Sequence, residues 1–385
     1  MDDLMLLDAS LQDEERMIRD SVAHFVAHEV KPFILEAFEH ATFPSFLIKK
    51  MAELGLFGFT LPREYGGSAG GDVAYGLICQ ELERGDSALR SFISVQSALC
   101  MYPIYQFGDE AQKKHYLPLM AKGELIGCFG LTEPDSGSDP ARMKTVAKKV
   151  AGGWRLSGSK MWITNATIAD IAIIWANTEQ GICAFIVEKS FKGFSTHEIK
   201  HKMSLRASVT GELVCEDVFV PDDHLIPGTM KGLGAALSCL NQARYGISWG
   251  VMGAAQACFD LTKAYLLSRK QFSKPLAGCQ LIQRDLSLMY TEIIKAQCLH
   301  LQLGRLKEAQ KSTPAMISLA KGNACREALK IARTCRNLLG ANGISLEYDV
   351  IRHMLNLESV FTYEGTDNIH LLILGKHITN INAFE

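Results

Sequence analysis

In Trp154-Arg155-Leu156-Ser157-Gly158-Ser159-Lys160-Met161-Trp162-Ile163-Thr164 the hydrophobic period turns from helical to strand-like, and the rest of the chain arranges itself around that change. Residues 154–157 and 161–164 alternate as β-strands do, and the Gly158-Ser159 step between them reads as the turn of a hairpin. Residues 171–176 and 182–187 follow as short runs rich in β-branched residues, and 212–220 reads as a further strand. Short strands at this spacing predict a small barrel or sandwich between about residues 127 and 221.

Upstream, from Ser10 to about Lys122, the period is helical. Met17, Ile18, Val22, Phe25 and Val26 share one predicted face, and Pro32 is expected to bend or end their helix. A second helix is predicted over 45–54, between Pro44 and Gly55. Glu64-Tyr65-Gly66-Gly67 reads as a loop, 73–84 and 91–107 as two more helices, and Asp109 as the N-cap of another. Downstream, 233–270, 280–310 and 313–339 are each long enough for bundle helices. The expected fold is a multidomain α+β chain: a helical unit over 1–126, a β unit over 127–222 and a long-helix bundle over 223–385.

With 385 residues, 48% of them hydrophobic, the chain can bury a sizeable core in two or three units. The net charge of −2, with acids and bases intermixed, gives no reason to expect nucleic acid as a partner. The first ten residues lack a basic stretch followed by an apolar one, and no apolar run reaches the roughly 18 residues of a membrane span. A cytoplasmic location is expected; a mitochondrial matrix origin would require a removed transit peptide. The eleven cysteines include no Cys-x-x-Cys pair and sit mostly in apolar contexts, as buried free thiols in a reducing compartment would.

Several motifs carry competing readings. His197-Glu198-Ile199-Lys200-His201 spells a zinc-protease string, which requires a helix. On a strand, at roughly 3.3 Å per residue, the imidazoles would stand about 13 Å apart and could not share a metal. No Gly-x-Gly-x-x-Gly follows a strand, so any flavin or nicotinamide must bind outside the Rossmann geometry. Residues 129–139 form a dense turn whose hydroxyls and small residues suit either a polar ligand or an ordinary well-capped loop. Trp162 and Thr164, two apart, would face one planar ligand, unless Trp162 is a core residue. Arg90, seven residues after Glu83, is either a receptor for a substrate carboxylate or an ordinary ion-paired arginine. Thr362-Tyr363-Glu364-Gly365-Thr366 places one carboxylate on a Gly-flanked turn ahead of a last helix. Glu364 there could be a helix-capping charge. Held half-buried, it would be a general base with a pKa above the usual value of about 4.3.

These pieces, in this order, resemble the acyl-CoA dehydrogenase family from about residue 10 to the end. Ile126-Gly127-Cys128-Phe129-Gly130-Leu131-Thr132-Glu133-Pro134 through Gly137-Ser138-Asp139 is similar to the family's flavin loop, and Met161-Trp162-Ile163-Thr164-Asn165 to its flavin-facing strand. Arg269-Lys270-Gln271-Phe272 and Gln280 resemble the residues that reach a neighbouring subunit's FAD. Leu338-Leu339-Gly340-Ala341-Asn342-Gly343 resembles the loop near the adenine end, with Ala341 where the family often has a second glycine. Within the family, the glutaryl-CoA-oxidising members are most similar, through Glu81-Leu82-Glu83-Arg84, Arg90-Ser91, Ser94-Val95-Gln96-Ser97 and Cys239-Leu240-Asn241-Gln242-Ala243-Arg244-Tyr245-Gly246. The end of the chain, from Tyr363-Glu364-Gly365-Thr366 to Ile378-Thr379, is equally similar to theirs.

The resemblance implies Glu364 as the base for the α-proton, Tyr363 as a second catalytic residue, and hydride transfer from the β-carbon to flavin N5. It implies substrate contacts from Glu83, Arg90, Ser91, Ser138, Leu240, Asn241, Arg244 and Gly365. FAD contacts are implied from Phe129, Leu131, Thr132, Gly137, Ser138, Trp162, Ile163, Thr164, Arg269, Phe272, Gln280, Leu338, Leu339, Gly340, Thr366 and Asn368. The implied substrate is glutaryl-CoA, the implied product crotonyl-CoA plus carbon dioxide. The implied partners are an electron-transferring flavoprotein and further copies of the chain in a homotetramer. A non-decarboxylating or short-chain dehydrogenase, an acyl-CoA oxidase and a degenerate binding protein remain the alternatives.

Overall fold

The computed structural model describes residues 3–230 and 232–384. Met1 and Asp2 of the acidic leader, Lys231, and Glu385 at the end of the expected third unit lie outside them. Seven helices come first: α1 (Asp13–Phe25), α2 (Lys31–Glu39), α3 (Phe46–Glu53), α4 (Asp72–Gly85), α5 (Ser87–Ile93), α6 (Tyr102–Phe107) and α7 (Glu110–Ala121). Their starts follow from local chemistry. Gln12 and Glu15 form a reciprocal capping box at α1, as do Asp109 and Gln112 at α7.

Three helical expectations need correction. Pro32 does not end a helix but sits in the first turn of α2, directly after the one π-helical turn, Val26–Val30, that joins α1 to α2. Met17 is exposed, because the buried stripe of α1 runs through Glu15, Val22 and Phe25. The helix expected from 91 starts at Ser87, since the Asp86 carboxylate accepts from the Ala88 N–H at 2.7 Å; it runs on to Phe107 through a π-helical stretch, Ser94–Met101.

The middle of the chain is a seven-stranded sheet of β1 (Gly127–Gly130), β2 (Val146–Val150), β3 (Gly153–Thr164), β4 (Ile171–Thr178), β5 (Gly181–Glu188), β6 (Phe194–Glu198) and β7 (Thr210–Pro221). The strand order is β1-β4-β2-β3-β7-β6, with β5 also paired to β4. The expected 154–164 hairpin is instead the single strand β3, paired antiparallel along β7. Gly158 is not a turn: with φ +146 it lets the backbone pass Thr145, whose Oγ1 a Cβ would meet at 2.5 Å. Two register shifts, at 156/158 and 160/163, mark bulges that bend the strand. The dense turn expected from 129 begins only after Gly130, because Phe129 and Gly130 belong to β1. β4 explains its continuous apolar sequence by being buried on both faces. Ile171, Ile173 and Trp175 join the helical core, while Ala172, Ile174 and Ala176 join the core within the sheet.

Then come α8 (Gly234–Ser268), a small hairpin of β8 (Lys270–Gln271) and β9 (Lys274–Pro275), and the helices α9 (Gln280–Glu308), α10 (Pro314–Leu338), α11 (Val350–Thr362) and α12 (Asp367–Thr379). The three long helices lie where the period put them. α8 serves two cores: buried residues from Ala235 to Tyr245, with Trp249, pack with the N-terminal helices, and Ile247 with Val251 to Phe259 pack with α9, α10 and α11. The active-site candidates gather where α4 and α5 meet α8, α10 and the α11–α12 turn.

Candidate active site

Between α11 and α12 the chain turns over four residues, Tyr363 to Thr366. Glu364 has φ +55 and Gly365 φ +92, both left-handed. For glutamate that conformation costs on the order of 1–3 kcal/mol and must be held by its surroundings. Buried cations hold it. The Lys321 ammonium of α10 donates to the carbonyls of Tyr363 at 2.7 Å and Gly365 at 2.8 Å. Arg244 of α8 donates through Nε to the Glu364 carbonyl between them, at 2.7 Å. Gly365 has to be small: a Cβ there would stand 3.0 Å from His370 Nε2 and 3.3 Å from an Arg244 Nη. Thr366 spends its hydroxyl capping α12, accepting from the Ile369 N–H, and Asn368 is exposed.

Glu364 is half-buried, and its Oε2 has no hydrogen-bond partner among the described residues. Burial pushes this carboxyl above the ordinary glutamate range, opposed by the cations Arg244, Lys321 and Arg90. A carboxyl whose charged form burial disfavours has the chemistry a proton acceptor needs.

Arg90 lies beside it. Only 1% of its surface is exposed, and its Nε donates to Glu83 Oε2 at 2.6 Å. A guanidinium Nη donates to the Tyr363 hydroxyl, and the guanidinium carbon stands 5.7 Å from the centre of the Tyr363 ring. Burial raises the pKa of Glu83 and of Tyr363; for Arg90 burial works the other way, but Glu83 and Tyr363 hold it well above the ordinary arginine value. Glu83 Oε1 has no partner, so the pair is not closed on itself. Arg90 is therefore ion-paired and also in contact with the residue preceding the candidate base. Ser91 is buried beside it on α5, and Leu240 and Asn241 are half-buried on α8, one turn ahead of Arg244.

A second group forms at the sheet. Phe129 is buried edge-on to Trp175, Leu131 is buried, and the Thr132 carbonyl accepts from the Met161 N–H at 2.9 Å. Beneath them Lys160 is buried and donates to the Leu131 carbonyl at 3.1 Å and to Glu133 at 2.8 Å. Glu133 also accepts from the backbone of Lys144 and Thr145, so the loop after β1 is tied to β2 and β3 together. Trp162 is 58% exposed at φ +64, which removes the core-tryptophan reading and breaks the strict alternation that would pair it with Thr164. Ile163 is buried and Thr164 half-buried; Gly137 and Ser138 are exposed on the loop.

The remaining predicted residues stand apart. Phe272 is 92% exposed at the tip of the β8–β9 hairpin, with Arg269 and Gln280 exposed on either side. Among the described residues, no hydrogen bond or ion pair ties these three to the Glu364–Arg90 group. Leu338 and Leu339 end α10, and Gly340 follows at φ +61 with open space where a Cβ would be. His197 lies on β6 opposite Glu212, a strand geometry. Among the described residues no group of three His, Cys, Asp or Glu is placed to hold a metal ion.

Sequence reasoning missed Lys321, His370 and the Glu133–Lys160 pair. A signal for Lys321 was present: it falls on the helical stripe of Ile317, Ala324, Cys325 and Ala328, all buried, where a lysine needs a reason.

Three family descriptions match the chain: "Acyl-CoA dehydrogenase, N-terminal domain" over residues 12–124, "middle domain" over 128–218 and "C-terminal domain" over 230–379. The chain belongs to the acyl-CoA dehydrogenase family and shares its fold. A short-chain-specific acyl-CoA dehydrogenase of Clostridium acetobutylicum is 35% identical over 97% of this chain and 100% of its own. The crystal structure of glutaryl-CoA dehydrogenase from Mycobacterium smegmatis matches with a TM-score of 0.98 and 50% identity, over 100% of this chain and 99% of that one. A structure of a glutaryl-CoA dehydrogenase from that organism in complex with FADH2 matches with a TM-score of 0.98 and 49% identity, over 99% and 98%.

Proposed function

We propose that this chain is a glutaryl-CoA dehydrogenase that uses FAD to oxidise the thioester and then releases carbon dioxide, yielding crotonyl-CoA. One observation carries the dicarboxylate reading: a wholly buried arginine hydrogen-bonded to the tyrosine that precedes the base. A plain fatty acyl chain gives no reason to bury that charge, whereas a distal carboxylate does.

Residues around β3 suit a flat aromatic cofactor. Trp162 stands exposed beside half-buried Thr164, next to the Leu131–Thr132 backbone that Lys160 and Met161 hold in place. FAD bound there supplies the two-electron oxidant for the β-carbon. The further contacts implied for Arg269, Phe272, Gln280 and the 338–340 turn belong to the same proposal and fit a homotetramer, since Arg269, Phe272, Gln280 and Gly340 are exposed on one chain. Electrons leave to an electron-transferring flavoprotein in this reading. The units are 1–126, 127–222 and 223–385, and the free thiols fit the reducing cytoplasm.

Glu364 removes the α-proton. Its own N–H, which no hydrogen bond among the described residues uses, is placed for the thioester oxygen as charge develops. In the α,β-unsaturated product the γ-carbon bears the second carboxylate. When the bond to that carboxylate breaks, carbon dioxide leaves and its electron pair enters a dienolate conjugated with the thioester. The proton on Glu364 then returns to the γ-carbon. Arg90 orients the carboxylate, and Glu83 keeps that grip from becoming too tight.

The test is product analysis with glutaryl-CoA, and separately butyryl-CoA, plus an artificial electron acceptor. Crotonyl-CoA with carbon dioxide from glutaryl-CoA, at higher kcat/KM than butyryl-CoA, is expected. Glutaconyl-CoA as the sole product would remove the decarboxylation step, and a preference for butyryl-CoA would make this a short-chain dehydrogenase.

A further inference from the structure

We propose that Lys321 is a positioning residue for the base, holding the Glu364 backbone in its left-handed conformation from below and thereby fixing where the carboxylate points. The proposal rests on Glu364 being the base. It follows from an arrangement confined to three successive carbonyls. Lys321 Nζ takes those of Tyr363 and Gly365, and Arg244 takes the one between. Ammonium geometry suits the task, because one nitrogen can donate along several directions and so serve two carbonyls at once.

Lys321 is fully buried on α10, and among the described residues no carboxylate is hydrogen-bonded to it, although burial alone would make an unpaired ammonium costly. A purely structural lysine at a helix–turn contact could be replaced by an apolar side chain; this one satisfies carbonyls that the φ +55 and φ +92 turn leaves out of any helix. His370 closes the remaining side, its ring against Gly365 and neither nitrogen hydrogen-bonded. The charges and titratable groups around Glu364 are Arg244 and Cys239 on α8, Lys321 and Cys325 on α10, Arg90 on α5, Tyr363 beside it and His370 on α12. Lys321 is the cation on α10 among them, so it also lowers the carboxyl that burial raises.

The experiment compares Lys321→Gln and Lys321→Met holoenzymes with wild type, using butyryl-CoA so that the outcome does not depend on the dicarboxylate reading. Lys321→Gln keeps a donor and removes the charge; Lys321→Met removes both. Both should bind FAD with a wild-type visible spectrum. In Lys321→Met, kcat should fall by about a hundredfold with KM near wild type, the scale of an ångström of misplacement. Lys321→Gln should fall less. In both, the acid limb of the pH profile should move to higher pH, because a cation that stabilised the carboxylate is gone. Exchange of the substrate α-proton with solvent deuterium, measured without an electron acceptor, should slow in the same order. A purely structural lysine would instead lower the unfolding temperature and leave the acid limb and exchange rate of the folded fraction unchanged, which would overturn the proposal. If Lys321→Met does not fold, the acid limb and exchange rate of Lys321→Gln decide alone. Glu364→Gln is the control: turnover near wild type there would defeat the base assignment itself, whatever Lys321 does.

Discussion

Arg90 keeps its charge in a place where water cannot help it, and the two groups that make this tolerable are also the ones that give it a purpose. Glu83 neutralises it from one side, while Tyr363 ties it to the Glu364 turn from the other. Removing one member of a buried pair leaves the other stranded, so Arg90→Ala should lower stability as well as activity. The substrate ratio separates the two effects. Arg90→Ala should lose about 2–5 kcal/mol of transition-state stabilisation for glutaryl-CoA and far less for butyryl-CoA, which has nothing to present to the arginine. Steady-state kcat/KM for both thioesters on one preparation measures this; equal losses would make Arg90 structural. At this scale the sequence spoke through types and spacing. Glu364 and Arg90 could be picked out because each is a charged residue in an apolar or Gly-rich setting. The hydrogen bonds of Lys321 could not, since nothing local says which carbonyls a lysine will meet more than forty residues later.

Among the elements, the contact of α4 with α8 decides whether the pair exists. Gly250 and Gly253 of α8 lie where α4 crosses closest. A Cβ on Gly253 would stand 1.8 Å from the Gln80 carbonyl, and one on Gly250 would stand 2.2 Å from Glu83 Oε2 and 3.0 Å from Arg90 Cγ. Helix propensity argues that Gly250→Ala should gain about 0.5–1 kcal/mol. Overpacking argues for a loss of about 1–3 kcal/mol, and the contact distance makes packing win. Gly250→Ala should therefore melt at a lower temperature, and its preference for glutaryl-CoA over butyryl-CoA should shrink because Glu83 must move. A higher melting temperature with an unchanged preference would show that α4 and α8 can yield. β3 teaches the complementary lesson. Gly158-Ser159 has the composition of a turn, but Gly158 is needed for close approach to Thr145, and the strand continues through it with a bulge.

Across the whole molecule, buried histidines set an acid limit. His300 lies fully buried against Trp249 with neither ring nitrogen partnered, and burial lowers its pKa to about 3; His370 is lowered to about 3 and His353 well below the ordinary value. All three are neutral in the fold. The unfolded chain, with histidines near 6.5, binds more protons between about pH 3 and 6.5, so stability is lost as pH falls through that window. Near pH 5 His300 and His370 would each contribute roughly 2 kcal/mol of that loss, and His353 acts in the same direction. Glu83 and Glu364, whose burial cost is relieved by protonation, act in the opposite sense and only below their raised values. His300→Leu should leave the melting temperature near pH 8 almost unchanged and flatten its fall between pH 6.5 and 5. An equally steep fall in the variant would place the acid sensitivity elsewhere.

The period of the sequence determined the order of units and the span of the three long helices, because burial on one face writes itself into residue spacing whatever the partner. It also determined which carboxylate and which arginine to watch. Tertiary structure alone decided that 153–164 is one bulged strand, that α8 serves two cores, and that Lys321 and Arg244 hold the Glu364 turn. Each of these depends on what lies opposite a residue across the fold, and a one-dimensional pattern carries no record of that distance.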